Sequence, residues 1–214
     1  MKKLLIITSF ILLAAQSNQD PNRFRQEIDN LIATNKSVSR DKLIVFTGSS
    51  SIKMWNNLKE SFPKHNVVNM GFGGSDMSEL LYFTDEIITS FSPKQVFIYE
   101  GDNDIAKGKK TDEILSSADS IVKRIRQKLP DVSLVFISAK PSVRRWELRN
   151  EYVAYNKALE AWTKNQKNVR YADVWTPMLK KDGIVRDDLF IEDKLHMNEK
   201  GYKIWQKVLK KFLI

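Results

Sequence analysis

The stretch Leu43-Ile44-Val45-Phe46-Thr47-Gly48-Ser49-Ser50-Ser51-Ile52 decides the fold of this chain. Four consecutive apolar residues suit a short strand buried on both faces, the usual state of a strand in a parallel sheet. Gly48 ends the run, and the serines lead into Ile52-Lys53-Met54-Trp55, so the unit reads as strand, tight turn and helix. Working outward, Asn66 to Met70 repeats the pattern and ends at Gly71, and Val96-Phe97-Ile98-Tyr99 gives a third strand. Val132 to Ile137 gives a fourth strand and Val169 to Val174 a fifth.

Helical stripes separate these runs. Asp20-Pro21 reads as an N-cap and first helical residue ahead of Phe24, Ile28, Leu31 and Ile32. Asp76 and Glu79 have capping-box spacing for a helix to about Phe91. Ile114, Ala118, Ile121, Val122, Ile125 and Leu129 stripe the next helix, which stops before Pro130. Leu148, Tyr152, Tyr155, Leu159 and Trp162 stripe another, and Asn198 caps a last one carrying Tyr202, Trp205, Leu209 and Phe212. Strands alternating with helices imply right-handed crossovers and a parallel sheet covered on both faces. The fold class is therefore α/β, a three-layer α/β/α sandwich on a five-stranded parallel sheet. In such sheets ligands bind beyond the C-terminal ends of the strands.

Composition agrees with one globular domain. The 214 residues are 42% apolar and 29% charged, with 8 Gly and 6 Pro, which excludes a disordered or collagen-like chain. There is no Cys, so disulfides, thiolate metal sites and a cysteine nucleophile are excluded. Lys+Arg of 35 against Asp+Glu of 26 leaves +9. The basic residues are scattered among acids, with only Lys107-Gly108-Lys109-Lys110 and Arg144-Arg145 clustered, so a solvated basic surface is expected and no nucleic-acid partner.

Met1-Lys2-Lys3 precedes an apolar run from Leu4 to Ala15 and then polar Gln16 to Gln19, the order of a secretory signal peptide. Ala15-Gln16-Ser17 offers small residues for cleavage after Ser17. The run is too short for a bilayer core, which takes about 20 residues. Residues 1–17 are thus expected to be a signal peptide and 18–214 a single secreted or periplasmic domain, without stable membrane insertion after cleavage.

Residues after the strands carry the candidate chemistry. Gly48-Ser49-Ser50-Ser51 exposes a hydroxyl beside the amides that open a helix, or is a plain serine turn. Asn69-Met70-Gly71-Phe72-Gly73-Gly74-Ser75-Asp76 brings backbone close to a ligand, but lacks the lysine of a phosphate loop and the spacing of a dinucleotide fingerprint. Glu100-Gly101-Asp102-Asn103-Asp104 reads as a turn able to supply an amide donor. His196 follows Asp193 by three residues, within reach for a carboxylate to orient an imidazole. His65, the only other histidine, reads as surface, and a metal site lacks a third ligand.

Four such motifs in this order resemble the SGNH (GDSL) hydrolase superfamily, whose blocks supply Ser, Gly, Asn and His. The blocks here are Phe46 to Ile52, Asn69 to Ser75, Gly101-Asp102-Asn103-Asp104 and Asp193 to His196, with Gly201-Tyr202 following. The resemblance runs from about Leu43 to Trp205 and implies a flavodoxin-like sheet. Aligning Gly48 and Trp55 with the family's Gly-Asp-Ser-x-x-x-x-Trp makes Ser50 the nucleophile, with Ser49 and Ser51 as alternatives; Ser49 stands where the family has aspartate.

The resemblance further implies a catalytic Ser50, Asp193 and His196, and an oxyanion hole from Ser50, Gly74 (Gly73 as fallback) and Asn103. It implies hydrolysis of carboxylic esters without cofactor or metal. The expected substrate is a small-molecule or glycan ester, with short-acyl sugar esters ahead of lysophospholipids or platelet-activating-factor-like lipids. A non-catalytic glycan binder and an acyltransferase are further alternatives. Arg144, Arg145 and Trp146, in the loop after the fourth strand, are expected at the substrate. Trp55, Phe72, Trp146 and Trp175 are candidates for stacking on sugar rings or for core. The oligomeric state has no signature in the sequence.

Overall fold

The computed structural model describes residues 20–214. Its five strands are β1 (Ile44–Gly48), β2 (Val67–Gly71), β3 (Gln95–Tyr99), β4 (Ser133–Ile137) and β5 (Val169–Ala172). They form one sheet in the order β2-β1-β3-β4-β5, with every neighbouring pair parallel. The helices are α1 (Arg25–Asn35), α2 (Ser50–Lys53), α3 (Leu58–Ser61), α4 (Met77–Ile87), α5 (Asp102–Ala106), α6 (Thr111–Lys128), α7 (Arg149–Lys164) and α8 (Glu199–Leu209). The three-layer α/β/α sandwich read from the sequence is the observed fold.

Period-2 alternation divides the strand residues between two cores. Val45, Met70, Val96, Ile98, Leu134 and Phe136 pack with Phe24 and Ile28 and with the apolar stripes of α4, α6 and α7. Ile44, Phe46, Phe97, Tyr99, Val135 and Ile137 pack on the other face with Ile52, Trp55, Leu58, Trp205 and Leu209. Both faces are covered along β1 to β4, so these strands are mostly apolar, with Thr47, Asn69, Gln95 and Ser133 the exceptions, while edge strand β5 exposes Arg170. The chain runs from β1 to β2 on one side and returns to β3 on the other. The connecting helices lie on opposite faces, as one handedness of crossover requires. The topological switch point, where a crevice forms, thus lies between the ends of β1 and β3.

Several boundaries differ from the sequence reading. Asp20 caps a 3-10 turn, Pro21–Phe24, that leads into α1. The Asp76–Glu79 capping box is present, but α4 ends at Ile87 and a 3-10 turn carries the chain to Phe91. Two short helices, rather than one, join β1 to β2, and the expected turn after β3 is the start of α5. β5 stops at Ala172, and α8 at Leu209 before a 3-10 turn to Phe212. Asn198 caps α8 by accepting from the amides of Lys200 and Gly201. The proposed signal segment, residues 1–17, lies outside the described residues. Among these no helix is long and apolar enough to cross a membrane.

Candidate active site

The C-terminal ends of β1, β2 and β3 lie side by side, with Gly48 in register with both Gly71 and Tyr99. Gly48 makes the sharp turn out of β1 possible. Its φ is +131°, and a Cβ there would stand 2.0 Å from the Tyr99 carbonyl oxygen, which accepts the Ser49 amide at 3.1 Å. α2 starts directly after this turn. It is fastened by the Asn69 side chain, which donates to the Ile52 carbonyl at 2.6 Å, and by the Tyr202 hydroxyl, which donates to the Ser51 carbonyl at 3.0 Å.

The three serines of the turn separate by geometry. Ser49 and Ser51 are buried. Ser50 is half-exposed, and its Oγ lies 2.9 Å from His196 Nε2. On the far side of the ring, His196 Nδ1 is 2.5 Å from Asp193 Oδ2. The other carboxylate oxygen, Oδ1, accepts the amides of Leu195 and His196, both at 2.9 Å. This Asx-type turn fixes the carboxylate against the ring, with Lys194 in a left-handed conformation at φ +58°. Burial alone would raise the Asp193 carboxyl. The hydrogen bonds from the His196 ring and from the two amides outweigh it and hold the group at about 2. The carboxylate is therefore ionised at neutral pH and keeps the Nδ1 proton in place, leaving Nε2 to accept from a serine hydroxyl.

The candidate oxyanion donors come from the segments that follow the adjacent ends of β1, β2 and β3. The Ser50 amide is the first of α2, where no intrahelical acceptor exists. Gly74, at φ +70°, has open space where a Cβ would be, and among the described residues its amide has no partner. The Gly73 amide donates to Glu27 Oε1 at 2.9 Å, so the fallback position is already occupied. Asn103 donates one side-chain N–H to the Ser75 carbonyl at 2.8 Å, tying the β3 loop to the β2 loop. Ser75 is held in turn through its Oγ, 2.6 Å from Glu100 Oε1. Glu100 is buried, and burial, with the neighbouring Asp104 second, pushes its carboxyl well above the ordinary range.

The loop after β4 carries the three residues expected at the substrate. Arg145 does not present its guanidinium to the crevice alone: Nη1 lies 2.5 Å from Asp102 Oδ1, and Nη2 donates to Asn103 Oδ1 at 3.0 Å. Arg144 is exposed, and its amide donates to the Lys194 carbonyl at 3.0 Å, linking this loop to the Asp193–His196 turn. Trp146 is half-buried and lies beside Trp175, with ring centroids 6.1 Å apart and planes 15° from parallel. Both line a cavity of about 500 Å³ with Arg149, Asn150 and Asp182. Trp55 and Phe72 are core residues and cannot stack on a sugar: Trp55 packs on Phe46, Phe62, Tyr202 and Trp205, and Phe72 on Phe24 and Phe83. His65 is half-buried rather than a freely exposed side chain.

Sequence reasoning missed the polar cluster behind Asn103. Asp102 is 4% exposed and accepts from the hydroxyls of Tyr99 (2.8 Å) and Tyr152 (2.5 Å) as well as from Lys140 (3.2 Å) and Arg145. Lys140 is fully buried. No local sequence signal marks it, because its partner comes from a different strand loop.

The family model for GDSL-like lipases and acylhydrolases matches residues 47–204, well over half of the chain. Among solved structures, a Streptococcus pneumoniae protein described by reference to platelet activating factor is 20% identical at a TM-score of 0.80, over 90% of this chain and 94% of that one. A GDSL-like lipase from Bacteroides thetaiotaomicron is 20% identical at 0.74, over 91% and 97%. An acetylxylan esterase from Geobacillus stearothermophilus, solved as a catalytic mutant, is 14% identical at 0.66, over 79% and 93%. At these identities the likeness is one of fold. No curated protein matches the sequence.

Proposed function

The chain belongs to the GDSL-like lipase/acylhydrolase family and hydrolyses ester bonds, and from that premise we propose that it is a serine esterase with Ser50 as nucleophile, His196 as acid–base and Asp193 as its orienting carboxylate. One observation carries the reading: Ser50 Oγ stands 2.9 Å from His196 Nε2, with Asp193 on the opposite ring nitrogen. His196 takes the Ser50 proton as Oγ bonds to the ester carbonyl carbon. The carbonyl electrons move onto oxygen, and the amides of Ser50 and Gly74 and the free N–H of Asn103 donate hydrogen bonds to the resulting oxyanion. The intermediate collapses, the C–O bond to the alcohol breaks, and His196 gives that alcohol its proton. Water then repeats the sequence on the acyl-serine and releases the acid, restoring the Ser50 hydroxyl.

The proposed substrate is a short-acyl, acetyl-type ester of a carbohydrate. Support comes from the Trp146–Trp175 pair, whose cavity joins two rigid apolar faces to the polar side chains of Arg149, Asn150 and Asp182. Trp146 directly follows Arg145, whose guanidinium donates to Asn103, so one loop carries both a wall of this cavity and a contact to a proposed oxyanion donor. The signal-like order of residues 1–17 supports secretion or a periplasmic location, where such glycans are met.

The test compares the chain with its Ser50→Ala variant on p-nitrophenyl acetate, an acetylated xylooligosaccharide and a lysophospholipid. The expected result is activity on both acetyl esters, at least about 10³-fold lower in the variant. Equal activity in the variant rejects Ser50, and a preference for the lysophospholipid rejects the carbohydrate assignment.

A further inference from the structure

The oxyanion donor Asn103 is a planar amide, so its oxygen and its two N–H bonds turn together. Its catalytic value depends on which way that plane faces. Arg145 is a pure donor with no acceptor atom, so the Asn103 atom 3.0 Å from its Nη2 is the oxygen. With Oδ1 fixed on Arg145, one N–H meets the Ser75 carbonyl at 2.8 Å and the second is left for a ligand. The guanidinium is itself immobilised. Its Nη1 lies on the Asp102 carboxylate and also donates to the Asp102 carbonyl at 3.1 Å. Asp102 is anchored by Tyr99, Tyr152 and the buried Lys140.

Two cations therefore face one anion in this cluster, and the excess positive charge abuts the amide oxygen of Asn103. A donor to an amide oxygen polarises the amide and strengthens its N–H as a donor. The fork geometry is also specific. A lysine ammonium on a flexible stem cannot span the carboxylate and the amide oxygen with two planar bonds.

We propose that Arg145 is a positioning residue of the ester-hydrolysing site, setting the orientation and donor strength of Asn103 through a buried Asp102–Lys140–Tyr99–Tyr152 anchor. The proposal rests on the serine-esterase reading above. It replaces direct substrate contact by Arg145 as the reason this loop matters.

The experiment is a double-mutant cycle on the full chain with p-nitrophenyl acetate, using Arg145→Met, Arg145→Lys, Asn103→Ala and the two combinations. In the parent background each Arg145 variant is expected to lower kcat about 10- to 100-fold with KM within about twofold, since displacing one donor loses much of what deleting it would. In the Asn103→Ala background the same changes should alter kcat less than about twofold. An equal loss in both backgrounds overturns the proposal, as does a raised KM at unchanged kcat. Arg145→Lys keeps the charge, so it serves as the folded comparison if Arg145→Met melts early. A second readout needs no turnover: the Asn103 side-chain amide pair in the ¹H–¹⁵N spectrum, identified by its loss in Asn103→Ala, should shift in both Arg145 variants. An unmoved pair refutes the positioning role even if Ser50→Ala has shown the esterase reading to be wrong.

Discussion

Asp102→Asn is the sharpest test of the buried cluster, because the replacement keeps the shape and removes one charge. The wild-type carboxylate is 4% exposed and receives four donors, one of them the fully buried Lys140. Asparagine offers one acceptor oxygen, and its NH₂ group faces Lys140 or Arg145, which have no acceptor, so only a turned tyrosine hydroxyl could receive it. Arg145, with 18% of its side chain exposed, can swing toward water, whereas Lys140 at 0% cannot. Breaking a buried ion pair from one side costs about 3–5 kcal/mol, because the remaining charge is left in a low dielectric. For a domain of this size each kcal/mol moves Tm by about 2–4 °C, so a fall of roughly 6–20 °C is expected.

The pH dependence gives a second handle on the same residue. Burial alone would raise the Asp102 carboxyl, but Lys140, Arg145 and the hydroxyls of Tyr152 and Tyr99 outweigh it and hold the group well below the ordinary value. A depressed folded-state value means the unfolded chain takes up the proton first. The stabilisation is therefore complete above the unfolded value of about 3.9 and fades as pH falls below it. Urea unfolding followed by circular dichroism at pH 7 and at pH 3 should give a parent–variant gap that is constant down to about pH 5 and narrower at pH 3. A variant melting within about 2 °C of the parent at pH 7, or a gap that widens in acid, would refute this account of the cluster.

Other expectations are open to simple assays. Gly48→Ala puts a Cβ 2.0 Å from the Tyr99 carbonyl oxygen at a φ of +131°; strain and overpacking together should cost about 3 kcal/mol or more, and full activity at an unchanged Tm would be inconsistent with the turn described. Asp193→Ala removes the partner of His196 Nδ1 and of two backbone amides, so kcat on p-nitrophenyl acetate should drop about 10³–10⁴-fold, with the absence of a product burst reporting slow acylation. Trp55→Ala should lower stability by about 3–5 kcal/mol, as for a buried aromatic. Trp146→Ala should cost only about 1 kcal/mol while raising KM for an acetylated oligosaccharide and sparing p-nitrophenyl acetate. The reverse ranking of the two tryptophans would remove the support for a sugar-binding cavity.

Much of this molecule is legible in one dimension. Strands buried on both faces are apolar for most of their length, so Leu43–Phe46, Val96–Tyr99 and, despite Ser133, Val132–Ile137 announce themselves, and their alternation with helical stripes dictates a parallel sheet. The caps are equally local, since Asp76 and Asn198 satisfy amides two and three residues on. The Asp193–His196 pair is legible for the same reason: its partners share one turn. The chain divided into short helices where no single stripe is long enough to carry one, as between Ser50 and Ser61.

What only the tertiary structure decided depends on partners distant in sequence. The Gly48-to-Trp55 spacing favours Ser50 only through a family resemblance; that Ser50, and not the buried Ser49 or Ser51, faces a histidine 146 residues away is set by the fold. The resemblance prefers Gly74 to Gly73, and the fold supplies the physical reason: Glu27, from α1, occupies the Gly73 amide. Trp55 and Phe72 vanish into cores, while Trp146 and Trp175 meet at a cavity, because an aromatic residue has the same spacing whichever way its helix or loop finally turns. Lys140 and Asp102 sit 38 residues apart in unrelated loops, and Arg145 joins them to Asn103. Hydrophobic periodicity specifies which face of each element is buried. The meeting of charges across separate strand ends is specified only once the sheet has brought those ends together.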